Sequence, residues 1–261
     1  MAVTNFIQQI WSKKIQDDLE LKCKLVDNCL RDYEGDCKYA QSVKILGVGE
    51  PTIGAYDGSK DIDIEEMSDR GQILTIDQAK YFAFYVDDID QAQSVPGLKE
   101  KYQEKAVHGL AVARDTYVAT LIASAANKTT IEAMTEEGVK KAVDAAIVEL
   151  RERNFDEDGV IEMTPAFYNL FKNHLITLST NNPELIRKGV VGMYDNFECI
   201  MSNNLKTPCD IRGKKAIAFA GQINEVEALR AEKRFKDIVR GLDTYGAKVI
   251  DEARIQVLVS A

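Results

Sequence analysis

The sequence predicts a mixed α+β fold, and three observations carry that reading. A long apolar stripe opens at Pro96-Gly97 and runs at three- and four-residue steps to about Ala126. A second, cleaner stripe follows Thr135. Around them stand β-rich runs (SVKIL, KYFAFYV, VIEM, KAIAFA) whose residue types suit strands. A length of 261 residues allows one or two domains and a sizeable core without disulfide or metal support. Hydrophobic residues at 45% and charged residues at 29% are the proportions of an ordinary soluble globular chain.

From the N-terminus, Asn5 to Asp32 reads as helix, with Phe6, Ile7, Ile10, Trp11, Ile15, Leu19, Lys22 and Val26 on one mostly apolar stripe. Nothing directly after it offers a compact partner, so it has to pack on something distant in sequence or on another subunit. Between Ala40 and Gln78 the short runs SVKIL, IDIEEM and GQILTI flank the turn-rich GVGEPTIGAYDGSKD, which is too polar for a core of its own. The expected form is a long two-stranded excursion, marginal in isolation. KYFAFYVDDID then reads as a buried strand. In the long helix, Leu98, Tyr102, Ala106, Leu110, Ala113, Tyr117 and Leu121 form the expected packing face. About thirty residues would span roughly 45 Å.

Thr135 is a suitable N-cap for the next helix, with Glu136 and Glu137 complementing its dipole. Val139, Ala142, Val143, Ala146, Ile147 and Leu150 are its apolar face. After the turn DEDG come the strand VIEM and a helix with Thr164 as N-cap and Pro165 as first residue. A short helix is expected from Asn182-Pro183 to Gly189, then strands in VVGMYDNFECIMS and KAIAFA. The tail from Glu225 is open: Phe235, Ile238, Val239 and Leu242 fit a helix, whereas AKVI and ARIQVLVS are β-like.

The formal net charge of -9 and the absence of any Lys/Arg run argue against a basic nucleic-acid surface. Cys23, Cys29, Cys37, Cys199 and Cys209 are odd in number and include no CxxC pair, which points to reduced cytoplasmic thiols. No secretory leader and no membrane-length apolar run is predicted. Gly47-Val48-Gly49 lacks the downstream helix a dinucleotide loop needs; Pro51, Gly54 and Gly58 follow, so the glycines serve turns. The segment from Asn154 through Asp156, Asp158 and Gly159 to Ile161 matches the first eight positions of a calcium loop. Its twelfth position is Pro165, which cannot ligate, and an acidic turn is the better reading.

Asp61, Asp63 and Glu65 alternate with Ile62 and Ile64, and Asp87, Asp88 and Asp90 cluster. A hydrolase built on these acids needs convergence across a cleft, so a solvated or interface-facing acidic strand is expected instead. His108 and His174 have no partner at ligand spacing, and no GxSxG elbow occurs. The sequence assigns no catalytic, cofactor-binding or metal-ligating residue.

In the order of its elements the chain resembles the major capsid proteins of tailed bacteriophages, with the Hong Kong 97-type fold. NFIQQIWSKKIQDDLE is similar to their N-terminal arm, and SVKILGVGEPTIGAYDGSKDIDIEEMSDRGQILTIDQAKYFAFYVDDIDQAQS to their extended loop and its return strand. The helix at 97–126 resembles the spine helix. VIEMTPAFYNLF and IRKGVVGMYDNFECIMSNN resemble the axial domain, and RFKDIVRGLDTYGAKVI the closing strands of the peripheral domain, which turns the open tail toward β.

The resemblance implies an N-terminal arm at 1–39, an extended loop at 40–78 and a peripheral domain at 79–130 with the spine helix. An axial domain at 131–224 and the rest of the peripheral domain at 225–261 follow. It implies a structural protein, not an enzyme, that self-assembles through hexamers and pentamers into an icosahedral head around the phage genome. Its location would be the virion, assembled in the host bacterial cytoplasm. Implied partners are a separate scaffolding protein, a portal, a maturation protease and packaged DNA held without specific contacts, with no membrane and no cofactor. The cross-linking some relatives perform is not assigned to Lys44 or Lys60, because its acidic catalyst has no identifiable place. An encapsulin compartment shares the fold, and a calcium-binding helix-loop-helix protein is the rival of another class.

Overall fold

A computed structural model describes residues 23–33, 42–45, 71–87, 98–178, 191–230 and 236–260. The expectations for 5–22, for GVGEPTIGAYDG and IDIEEM, and for the short helix at 182–189 lie outside the described residues.

The first strands, β1 (Ser42–Ile45) and β2 (Gln72–Thr75), pair antiparallel with Val43 opposite Leu74. β3 (Gln78–Asp87) follows, then the long helix α1 (Leu98–Ala123). Its 26 residues span about 39 Å. β4 (Lys128–Ile131) leads to α2 (Glu136–Glu152), which starts as the sequence predicts: Gly138 N–H donates to the Thr135 hydroxyl. All six residues of its expected apolar face are buried.

β5 (Gly159–Met163) and α3 (Pro165–Leu178) come next, with Pro165 opening the helix. Thr164 takes part through its carbonyl, which accepts from Tyr168 N–H. Its hydroxyl donates instead to Pro208 O. β6 (Met193–Tyr194) and β7 (Phe197–Met201) form a hairpin through Asp195 and Asn196, both at positive φ as a tight hairpin turn requires. β8 (Cys209–Gly213), β9 (Ile217–Arg230), β10 (Lys236–Val249) and β11 (Ile255–Ser260) complete the chain.

Two sheets result. A three-stranded sheet has the order β3-β10-β9, all antiparallel, with an irregularity between Leu242 and Asp243. A six-stranded mixed sheet has the order β4-β11-β8-β5-β7-β6. Ile161, Met163, Cys209, Ile211 and Leu258 from its strands pack with α2 and α3 into one core. A second core joins α1 to residues 23–29 and to Ile217, Phe219, Tyr245, Ile255 and Val257.

The structure corrects four expectations. Residues 23–33 are not the end of a helix: they form a short 3-10 turn at Val26–Asn28, and Leu30 bridges to Ala218. The apolar residues Leu25, Val26 and Cys29 do find a partner distant in sequence, as a stripe without local support must. The packed face of α1 is Val107, Leu110, Ala111, Arg114, Asp115, Val118, Ala119 and Ile122, while Tyr102 is exposed and Tyr117 and Leu121 are half-buried. β3 is not a buried strand but an edge strand with one face open, Tyr81 and Tyr85 alternating with half-buried Phe82 and Phe84.

The fourth correction concerns the chain's end. The open tail is β through 236–249, but β11 pairs with β8 and β4 and so joins the six-stranded sheet, away from β9 and β10. β9 also runs unbroken through position 224, so the division between 224 and 225 falls inside a strand.

Candidate assembly surfaces and the buried joint

The three-stranded sheet has unlike faces. Inward, Phe82 stacks on Phe84 and Phe84 on Tyr102, and Tyr245 packs between Phe219 and Tyr117. Outward, Tyr81 is 78% exposed and Tyr85 71% exposed, with Leu242 directly across from Tyr81. A contiguous aromatic and aliphatic row facing solvent is the pattern of a surface that another molecule covers.

The base of the excursion belongs to the subunit's own core. Val43, Ile45 and Leu74 are buried against Ala218 and Ala220. Gln72 Nε2 donates to Ile250 O at 3.0 Å, and the Tyr117 hydroxyl donates to Asp77 Oδ1 at 3.0 Å. β10 crosses so close that a Cβ on Gly246 would lie 2.1 Å from Thr75 O, which makes glycine necessary there.

A buried polar joint ties residues 24–29 to α1 and the six-stranded sheet. Asp115, in the middle of α1, accepts from the backbone N–H groups of Lys24 at 3.1 Å, Leu25 at 3.1 Å and Val26 at 3.3 Å, and from Asn204 Nδ2 at 3.2 Å. Arg212 of β8 serves the carbonyls of the same segment, donating to Asn28 O at 2.7 Å and Leu25 O at 3.0 Å. Its guanidinium also grips Glu162 of β5, with Nη2 2.8 Å from Oε1. Donors and acceptors of one short segment are thus met by opposite charges from two elements, as buried backbone requires.

At the adjacent position of α1, Arg114 makes a two-pronged pair with Asp243 of β10, Nε to Oδ2 at 2.9 Å. Both side chains are almost wholly buried, and the guanidinium lies over the rings of Phe219 and Tyr245. Desolvation, reinforced by Asp243, pushes the Tyr245 hydroxyl up to about 12.

Among the described residues, those singled out from the sequence do not converge. Lys44 is exposed on β1, His108 is exposed on α1, and His174 is half-buried on α3. Asp156, Glu157 and Asp158 are exposed in the turn after α2, where Glu157 pairs with Arg254 at 3.0 Å. Pro165, at the twelfth position of the calcium-like loop, is the first residue of α3. Burial raises the thiols of Cys23 and Cys199 to about 12 and of Cys29 to about 11, which makes them poor nucleophiles. Asp61, Asp63, Glu65, Lys60, Asp88, Asp90 and Cys37 lie outside the described residues.

Sequence reasoning missed Glu162, Asp210, Arg212, Arg114, Asp115 and Asp243. The available signal was the pair of charges at 114 and 115, which sit at the right steps to continue the apolar stripe of α1.

No protein-family model matches the chain, and no curated protein does. Solved structures do. A structure from Mycobacterium phage Che8 aligns over 90% of each chain with a TM-score of 0.76 and 25% identity. The capsid of cyanophage P-SCSP1u aligns over 89% of this chain and 86% of its own, with a TM-score of 0.74 and 16% identity. The chain has the Hong Kong 97-type capsid fold. A virus-like particle from Pyrococcus furiosus matches it over 97% of this chain and 99% of that one, with a TM-score of 0.62 and 12% identity. The capsid fold gives the long helix and the paired sheets their common setting, as the order of elements in the sequence implies. Among the described residues, no helix is long and apolar enough to cross a membrane.

Proposed function

We propose that the chain is the major capsid protein of a tailed phage, a structural subunit and not an enzyme. It builds an icosahedral head shell from hexamers and pentamers of itself. The observation that carries this is the alignment over about nine-tenths of the chain with phage capsid structures. The open face of Tyr81, Tyr85 and Leu242 supports it, because a monomer gains nothing from such a row and a shell subunit has neighbouring copies to cover it.

In this reading residues 1–39 are the N-terminal arm and 40–78 the extended loop. The peripheral domain takes 79–130 with β9 and β10, and the axial domain takes the rest of 131–224 together with β11. The partners are a scaffolding protein, a portal, a maturation protease and DNA held by enclosure, and assembly takes place in the host bacterial cytoplasm. Electron microscopy of the expressed chain tests the reading: closed shells are expected, and a uniform monomer at high concentration sinks it. The match to the archaeal particle favours a second reading, a protein compartment of the same fold. Shells that package an enzyme cargo during expression would select it.

A further inference from the structure

Asp210 is the residue the joint does not explain. It lies on β8 directly across from Glu162 of β5, and both side chains are wholly buried. Written as a carboxylate, Asp210 has no hydrogen-bond donor on either oxygen. Arg212 Nε stands 3.6 Å from Oδ2, and the guanidinium's short contacts go to Glu162 and to the carbonyls of Leu25 and Asn28. Written as a carboxylic acid, Asp210 has an O–H donor and a facing acceptor in Glu162.

Charge counting agrees. With both carboxyls ionised, the pocket holds two negative charges against one guanidinium; with one proton, it is neutral. Among the described residues, the other groups facing the pair supply no second cation. Asp115 from α1 adds negative charge, and Arg114 is held by Asp243. Cys29 from the N-terminal segment and Cys209 beside Asp210 are thiols raised by burial, and Asn28 is a neutral donor to Glu162 at 3.2 Å.

We propose that Glu162 and Asp210 share one titrating proton, and that this proton keeps residues 24–29 docked by leaving Arg212 free to hold the carbonyls of Leu25 and Asn28. On deprotonation Asp210 becomes a second carboxylate beside Arg212 and draws the guanidinium off those carbonyls. The unpaired carbonyls then favour hydrated, undocked backbone over the buried one. The segment that leaves packs on α1 and the six-stranded sheet, so the proton governs how firmly residues 24–29 are held there. The inference concerns the folded subunit and does not depend on the shell reading.

Desolvation first, and then the facing Glu162, hold Asp210 well above the usual carboxylate range. Burial also raises Glu162, against the pull of Arg212. The sign follows. A hydrated, undocked Asp210 has lost its proton at ordinary carboxylate pH, while the docked pair keeps one. Docking therefore weakens as pH rises, by tenfold per pH unit, until the pair has titrated, and then levels off.

Amide hydrogen exchange of the full chain between pH 5 and pH 9, corrected for intrinsic exchange, reads this directly. Residues 24–29 should open more readily than α2, and their protection should fall with rising pH at up to tenfold per unit. In Asp210→Asn, whose amide donates to Glu162 without titrating, the fall should vanish. A pH-independent wild type, an unchanged slope in Asp210→Asn, or opening of 24–29 only together with α2 would each overturn the proposal. Isotope-edited infrared spectroscopy of the wild-type chain gives a check that needs no variant. Protein labelled at both its aspartate and glutamate carboxyls should show at pH 7 the carbonyl stretch of a protonated carboxylic acid, and its absence from both is equally decisive against the shared proton.

Discussion

The two sheets invert the usual rule about what a strand buries. The six-stranded sheet hides charges: Glu162, Asp210 and Arg212 alternate with Ile161, Met163 and Ile211, and every one is buried. The three-stranded sheet exposes aromatics: Tyr81 and Tyr85 face solvent although they stand in the most aromatic run of the chain. The difference lies in what covers each second face. Residues 24–29, held from the other side by Asp115 of α1, meet the charged face of the central strands with backbone carbonyls that need a charged partner. Nothing in the subunit's described residues lies over Tyr81 and Tyr85. Among the described residues, one sheet is finished by its own chain and the other keeps an open face.

Removing Arg114 should break this arrangement most. Arg114→Met leaves Asp243 buried without its cation, at a cost of about 3–5 kcal/mol. Urea unfolding of the subunit should show that loss. Adding Asp243→Leu should restore most of it, since two apolar side chains of suitable size tolerate the same site. If the single variant is as stable as the parent, the pair is not what fastens α1 to β10.

Next in size is the crossing of β10 over the excursion's base. Gly246→Ala places a methyl against Thr75 O and Ile76, and overpacking of this kind costs about 1–3 kcal/mol. Proteolysis should become faster between Ile45 and Gln72 while α2 stays protected. Equal protease resistance would mean that β10 can shift to make room. Thr135→Ala is smaller and acts only beside the six-stranded sheet. It removes the hydroxyl that accepts from Gly138, for about 1 kcal/mol, measurable as a lower urea midpoint with an unchanged slope.

How much was legible in the sequence follows from the same contrast. α2 was fully readable because its stripe is uninterrupted and its cap is local: Thr135, Glu136 and Glu137 need nothing from elsewhere in the chain. On α1 the true stripe passes through Arg114 and Asp115. A reading that excludes charges therefore shifts to Ala106, Ala113, Tyr117 and Leu121, one position away. Glu162, Asp210 and Arg212 look like the wet side of two strands, because period two cannot tell solvent from a buried backbone segment. β3 fails in the opposite sense, since an aromatic run says that a face is covered but not by which chain. The β character of 236–246 rests on the resemblance alone. Ile238, Val239 and Leu242 satisfy a helical spacing, and only the long pairing with β9 and β3 selects the strand.

The smallest effect on the subunit should be the largest on assembly. Tyr81 and Tyr85 are mostly exposed in the free chain, so replacing both by serine should move its stability by no more than about 0.5 kcal/mol. In a shell the same rings would leave water against a neighbouring copy. A large aromatic side chain buries about 150 Å² or more, and at ~25 cal/mol per Å² the pair contributes several kcal/mol per subunit before entropic costs. Multiplied over every interface, that loss should reduce shells to free subunits or small oligomers at the concentration where the parent assembles. Circular dichroism and urea midpoints should stay within error of the parent, while sedimentation should lose the particle boundary. Normal particles from Tyr81→Ser with Tyr85→Ser would show that this face remains open in the shell. A destabilised subunit would show that the two rings already pack within one chain, and the contrast between the sheets would then collapse.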